Sequence, residues 1–207
     1  IASYCKKFSS GSDFLDIGAG YGFFTNAAQS IGFNCTAIEA SSTNCKIFKL
    51  MNGFEPLNQM LNEKFIDENL NKFDVVLLSQ VLEHIPNPQS VIRSIGSVLK
   101  TGGICVIAVP HFGSLVSKIQ GTKDMFIVPP EHLTFFSITG LNQAFKNNGF
   151  SVLISHTVSR YDENKLKNRI KSPFLSKLVY SIIASGLHIS DVVNKGTIIN
   201  SYFKKEK

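Results

Sequence analysis

Short, nearly continuous apolar runs alternate along this chain with longer stretches in which apolar residues recur every three or four positions. Phe14-Leu15-Asp16-Ile17 is a brief apolar run that stops at glycines, the pattern of a buried strand entering a tight turn. Phe24, Ala27, Ala28 and Ile31 then share one face at helical spacing, and Gly32 supplies a left-handed terminator. Cys35 to Ile38 predicts the next strand. Ser41 or Ser42 caps a second helix, which Gly53 stops. Phe73 to Leu78 is the clearest buried strand. Asn87-Pro88 reads as the cap and first position of a helix with Val91, Ile95 and Val98 or Leu99 inward, ended by Thr101-Gly102-Gly103. Ile104 to Val109 is another apolar strand. Ser137 caps a helix with Ile138, Leu141 and Phe145 on one face, stopped by Gly149. Phe150 to Ser155 and Thr197 to Phe203 complete the strand candidates.

Strand alternating with helix, with strands apolar throughout, predicts an α/β fold: a mostly parallel sheet covered by helices on both faces. Regular alternation needs a further strand between Gly53 and Phe73, and Phe54 to Leu57 is the candidate. Segments 110–136 and 161–195 interrupt the rhythm. Loops beyond the C-terminal strand ends build the ligand sites of such sheets. Both segments are therefore expected to be substrate-side or lid insertions within a single domain spanning residues 1–207. In the second, Leu175, Leu178, Val179, Ile182, Ile183 and Leu187 predict an amphipathic helix.

The chain has 207 residues, 43% hydrophobic and 17% charged, which excludes a disordered polymer. Its net charge of +6 invites a nucleic-acid or anionic-membrane reading. The excess is local, however. Residues 1–159 hold 11 Lys and Arg against 11 Asp and Glu, whereas residues 160–207 hold 10 against 4. The sheet is thus neutral, and the basic run Lys165, Lys167, Arg169 and Lys171 precedes the amphipathic helix. That placement points to an anionic or lipid-linked ligand, to peripheral membrane contact through 165–190, or to a homodimer formed by the apolar stripe. Four cysteines without a CxxC pair, and the lack of a signal-like or membrane-spanning stretch, predict reduced thiols and a cytoplasmic protein.

Asp16-Ile17-Gly18-Ala19-Gly20-Tyr21-Gly22 follows a strand and opens a helix, the context of a ligand-cradling loop. Gly18 and Gly20 allow close backbone approach, and the helix start favours an anionic group. The G-x-G-x-G spacing differs from the G-x-G-x-x-G of dinucleotide binders, which weakens an NAD-dependent reductase. An acid two residues before the first glycine repels pyrophosphate but attracts an ammonium. A ligand with both ammonium and carboxylate fits, as in the methionine half of S-adenosylmethionine. Glu39, at the end of the next strand, can accept two hydrogen bonds from a ribose diol.

These residues resemble the class I S-adenosylmethionine-dependent methyltransferases. The resemblance runs through DIGAGYG (16–22), AIEAS (37–41), FDVVLLSQVLEHIPNP (73–88), LKTGGICVIAVP (99–110) and PPEHLTFFSITGLNQAFKNNGF (129–150). It is nearest to the small-molecule subgroup that includes quinone-biosynthesis O-methyltransferases and bacterial sugar methyltransferases. The resemblance implies a Rossmann-like seven-stranded sheet with an antiparallel last strand. It implies that Asp16, Gly18, Ala19 and Gly20 hold the methionine moiety and that Glu39 and Ala40 hold the ribose side. It further implies that Ser79, Gln80 and Val81 lie beside the sulfonium. Asn58, Gln59 or Met60 stand where an adenine contact is expected.

Ser79-Gln80-Val81-Leu82 replaces the (N/D/S)-P-P-(Y/F) tetrad of enzymes that methylate base amino groups, and no cysteine stands near this turn. No nucleic acid is therefore expected, and an RNA methyltransferase is the weaker alternative. A non-catalytic cofactor-binding partner subunit is another. No acidic cluster of the catechol type is visible, so no metal is expected and the predicted reaction is metal-free transfer to a small-molecule hydroxyl of a saccharide precursor or a quinone-like phenol. A hydroxyl acceptor must lose its proton, a task suited to histidine. His132 in Pro129-Pro130-Glu131-His132 is the first candidate base and His111 the second. Glu131 could orient His132. His84 is expected to pack the pocket floor, and His156 and His188 to lie on the surface.

Overall fold

In the computed structural model, which describes residues 1–124, 126–159 and 172–206, the apolar runs become strands buried from both sides. They are β1 (Asp13–Ile17), β2 (Asn34–Ile38), β3 (Phe73–Ser79), β4 (Leu99–Pro110), β5 (Phe150–Val158) and β6 (Ile198–Lys205). They form one six-stranded sheet in the order β2-β1-β3-β4-β6-β5. The first four run parallel, and β6 is antiparallel to both β4 and β5.

Alternate strand residues feed two cores. Leu15, Ile17, Val76, Leu78, Ile107 and Phe203 pack under α5 (Pro88–Val98) and α7 (Ile138–Lys146), with Phe65 of α4 (Glu63–Glu68) beside them. Phe14, Val75, Leu77, Val106 and Tyr202 pack on the other face with Cys5 of α1 (Ala2–Phe8) and Ala28 of α2 (Phe23–Ser30). Each such side chain contributes about 1.5–3 kcal/mol when fully buried. The helix boundaries follow local chemistry. Ser41 Oγ, Asn87 Oδ1 and Ser137 Oγ accept from the N–H three residues ahead, capping α3 (Ser42–Asn52), α5 and α7. Gly53 ends α3 at φ +76°.

Two expectations need correction. The seventh strand is absent among the described residues: Phe54 to Leu57 forms no strand, only a single parallel bridge between Leu57 and Ile38. Pro56 has no N–H to donate, so pairing stops after the Leu57 N–H to Ala37 and Glu39 N–H to Leu57 bonds. The C-terminal helix forms as expected, as α8 (Pro173–Val192); of its apolar stripe Val179, Ile183 and Leu187 are half-buried, while Leu178 is 49% and Ile182 65% exposed. What anchors it is polar. Asp191 accepts from the Ser159 N–H and Oγ–H, each at 2.8 Å, tying the end of α8 to the end of β5. His156, expected on the surface, is half-buried and stacks on Tyr202 with centroids 5.8 Å apart. The basic run 165–171 lies outside the described residues. Among those described, no helix is long and apolar enough to cross a membrane.

Candidate active site

The C-terminal ends of β1, β2 and β3 meet at one edge of the sheet, where the glycine loop turns into α2. Asp16, near the end of β1, is 2% exposed and accepts the Thr25 Oγ–H at 2.7 Å. Burial pushes its pKa up to about 6; the Thr25 bonds oppose the rise and the nearby Glu39 charge adds to it. Gly18 and Ala19 donate their N–H groups to the Ile38 carbonyl at 2.9 and 3.1 Å, stitching the loop to β2. Gly18 lies at φ +69°, and a Cβ there would come within 2.5 Å of Val81 Cγ2. Gly20 lies at φ +56°, and its Cβ position faces open space.

Glu39, 8% exposed, joins the loop to the next element. Its Oε2 accepts the Gly20 N–H at 2.8 Å, and Oε1 accepts the Ser41 N–H at 2.8 Å. Asn44 Nδ2 also donates to Oε1, at 3.4 Å, so of the about four acceptor sites of a carboxylate one, on Oε2, is left for a ribose hydroxyl. Asn58 Nδ2 donates to the Glu39 and Ala40 carbonyls, each at 2.9 Å, so it braces this turn. Past β3, Gln80 takes φ +56°. That left-handed conformation costs on the order of 1–2 kcal/mol for a non-glycine residue. Two bonds to the Ala108 carbonyl hold it, from the backbone N–H at 2.8 Å and from Nε2 at 3.2 Å.

Beyond Val81 one 3-10 turn, Leu82–His84, carries Glu83 and His84. Segment 110–136 leaves β4, forms α6 (Leu115–Gln120), and folds back so that the Leu133 and Thr134 N–H groups donate to the Glu83 carbonyl at 2.8 and 3.1 Å. That return brings His132 against His84, with ring centroids 4.8 Å apart. A carbonyl orients each ring: Glu131 lies 2.8 Å from His84 Nδ1, and Phe126 lies 2.7 Å from His132 Nδ1. Carbonyl oxygens only accept, so Nδ1 carries a proton in each ring and Nε2 is left for another partner. Glu83 is 1% exposed, and neither carboxylate oxygen has a hydrogen-bond partner among the described residues.

His111 differs. It is buried, gives its Nδ1–H to the Gly196 carbonyl at 2.9 Å, and packs Nε2 against the turn at Gly113. Burial lowers its pKa. With His132, Phe112, Phe126 and Phe135 it lines a small cleft under segment 110–136.

A family model described as a methyltransferase domain matches residues 1–154. The chain belongs to the methyltransferase-domain family. Among relatives of this methyltransferase domain is the ubiquinone biosynthesis O-methyltransferase of Caulobacter vibrioides, 35% identical over 105 residues, which are 47% of this chain and 40% of that protein. The mitochondrial protein of the same name from Rattus norvegicus is 33% identical over 156 residues, 69% of this chain and 45% of that one. The chain thus spans less than half the length of either relative. A solved S-adenosylmethionine-dependent methyltransferase from Archaeoglobus fulgidus shares the fold, with a TM-score of 0.68 at 19% identity over 98% of this chain and 90% of the other.

The resemblance to class I S-adenosylmethionine-dependent methyltransferases therefore holds, and S-adenosyl-L-methionine is the family's cofactor. Asp16, Gly18, Ala19, Gly20, Glu39 and Ala40 gather at the ends of β1 and β2; Ser79 ends the neighbouring β3, Gln80 and Val81 follow it, and Val81 lies against Gly18. Met60 is 73% exposed and lies two residues after Asn58, which braces the Glu39 turn. His84 does not pack a floor; it is exposed and tied to the Glu131 carbonyl, so Glu131 serves His84 through its backbone. Thr25 and Glu83 were missed. Thr25 lies on the first turn of the helix after the glycine loop, where it can face back to Asp16. Glu83 adjoins His84 in a stretch that carried the resemblance, but the fold-back that sets His132 against His84 left no local signal.

Proposed function

We propose that this methyltransferase domain transfers the methyl group of S-adenosylmethionine to a hydroxyl of a small molecule. The joined cradle of Asp16, the glycine loop and Glu39 carries the reading. Gly20 leaves room where a ligand must approach, buried Asp16 supplies a negative field for an ammonium, and Glu39 Oε2 keeps an acceptor site for a ribose hydroxyl. When bound, the cofactor supplies an activated methyl on a positively charged sulfur. The remaining task is to align acceptor, methyl and sulfur, which is positioning rather than covalent chemistry.

The relatives' names favour a phenolic hydroxyl over a saccharide. Its proton leaves through His132, whose Nε2 lone pair is fixed by the bond at Nδ1. His111 is a packing residue: its ring is wedged between Gly196 and Gly113. Each described thiol is pushed up rather than activated, with Cys5 and Cys35 at about 12, which argues against a cysteine nucleophile of the kind that some nucleic-acid methyltransferases need. An anionic or lipid-linked acceptor, membrane contact through 165–190 and a homodimer remain expectations from sequence.

Calorimetry with S-adenosylhomocysteine tests the first step. Binding should weaken by about tenfold or more in Glu39→Ala, since a hydrogen bond to a charged group is worth about 1.5–3 kcal/mol. His132→Ala should keep that affinity and lose transfer to dihydroxybenzoates. Absence of S-adenosylhomocysteine binding overturns the reading.

A further inference from the structure

We propose that Thr25 is a positioning residue for cofactor binding: its hydroxyl holds Asp16 as a charged, oriented carboxylate that receives the ligand's ammonium. The inference deepens the proposed function and rests on it for the ligand. Asp16 and Thr25 are both buried, so neither side chain meets bulk water. The Thr25 Oγ–H reaches Asp16 Oδ2 at 2.7 Å, and among the described residues no other side chain donates to this carboxylate. No salt bridge among those residues reaches it either. The titratable groups that sense Asp16 bring no positive charge: Glu39 past β2, the Cys35 thiol on β2 and the Cys5 thiol of α1. A buried carboxylate held by one hydroxyl is an incomplete arrangement, and a cation completes it. Thr25 occupies Oδ2 and leaves Oδ1 for that cation.

The local fold explains why this hydroxyl is available. Gly22 is the cap of α2, so Thr25 stands on the first turn and looks back at the strand that carries Asp16. A β-branched side chain in a helix has few rotamers, which fixes the direction of its hydroxyl. That hydroxyl can serve either form of Asp16, donating to the carboxylate or accepting from the acid. The charge-assisted bond is about twice as strong, however, so Thr25 favours the charged form. Burial pushes the Asp16 pKa up to about 6 and Thr25 works against that rise. The carboxylate is therefore poised near its midpoint, and one hydrogen bond sets how much of the protein stands ready for an ammonium near neutrality. Apparent affinity falls in proportion to that ready fraction.

The test titrates two ligands by calorimetry between about pH 5 and 8. One is S-adenosylhomocysteine; the other is 5′-methylthioadenosine, which has the same nucleoside and sulfur but no ammonium. For the unaltered protein, S-adenosylhomocysteine affinity should rise with pH, by up to about tenfold per unit below the midpoint, and then level off. Thr25→Val keeps the shape and removes the donor. Its curve should move about one unit to higher pH, giving binding about fivefold weaker near pH 6 that converges on the unaltered protein toward pH 8. Thr25→Ser restores a hydroxyl and should return the curve. 5′-Methylthioadenosine should bind all three proteins alike at every pH. Convergence at high pH marks a charge effect, because a damaged loop would displace the whole curve in parallel. A flat profile for the unaltered protein overturns the role of Thr25. So does a Thr25→Val curve that coincides with it or runs parallel to it, or an equal loss of 5′-methylthioadenosine affinity. If Thr25→Val fails to fold, Thr25→Ala makes the same comparison. No S-adenosylhomocysteine binding by the unaltered protein at any pH would instead sink the proposed function.

Discussion

Asp16 combines a buried charge with a single threonine donor, and this makes it sensitive to pH. Its folded pKa of about 6 lies above the ordinary 3.8, chiefly through burial. A raised carboxylate pKa favours the protonated fold, so its stabilising contribution is full below pH 3.8 and is lost as pH rises through about 6. The loss is about 3 kcal/mol from such a shift. The cofactor's ammonium needs the opposite form. Unliganded protein should therefore lose stability between pH 4 and 6 while S-adenosylhomocysteine affinity rises across the upper part of that window. Asp16→Asn keeps an acceptor for Thr25 and removes the charge. At pH 8 it should melt higher than the unaltered protein in thermal denaturation and bind S-adenosylhomocysteine at least about tenfold more weakly. An unchanged affinity would mean that the Asp16 charge does not reach the ligand.

Among the elements, the β1–α2 turn is held by its neighbour as much as by its own glycines. Gly18→Ala meets two obstacles, a positive φ and Val81 Cγ2 at 2.5 Å from the new Cβ. The φ cost is about 1–2 kcal/mol and belongs to the backbone. The steric cost belongs to the pair. In a double-mutant cycle, Val81→Ala should recover the steric part of the Gly18→Ala loss and leave the conformational part, so chemical denaturation should return a coupling of about 0.5–3 kcal/mol. Additive losses would show that the loop moves away from Val81 instead. The sequence pattern foretold this turn because glycines, cap and strand are contiguous. It misjudged Phe54 to Leu57 because strand formation there depends on repeated pairing with β2, and Pro56 limits that pairing to one bridge. The periodic apolar stripe of 175–187 does foretell α8, but whether a partner covers the stripe depends on tertiary placement.

Over the whole molecule, legibility follows sequence distance. Asp16, Gly18, Gly20 and Glu39 lie in two short strand ends and were read together. Glu83, His84 and His132 meet only because segment 110–136 folds back through two backbone bonds, which no local pattern specifies. The sheet poses the same question of distance. The methyltransferase family model ends at residue 154, yet β6 lies between β4 and β5, which touch each other through it. From β6, Ile199 and Phe203 enter one core and Tyr202 the other, all fully buried, and Phe203 stacks on Phe145 at 3.9 Å between centroids. Losing one such aromatic to alanine costs about 3–5 kcal/mol. Losing all three side chains with both ladders exceeds the 5–15 kcal/mol that ordinarily separates a folded domain from its unfolded chain. A chain cut after residue 154 keeps Asp16, the glycine loop and Glu39, but bares the edge of β4. It should show no cooperative thermal transition by near-ultraviolet circular dichroism and no S-adenosylhomocysteine binding. Adding residues 196–206 as a separate peptide should restore both if β6 can insert. A cooperative, ligand-binding 1–154 would mean that β1 to β4 and their helices form the stable unit, with β6 an accessory strand.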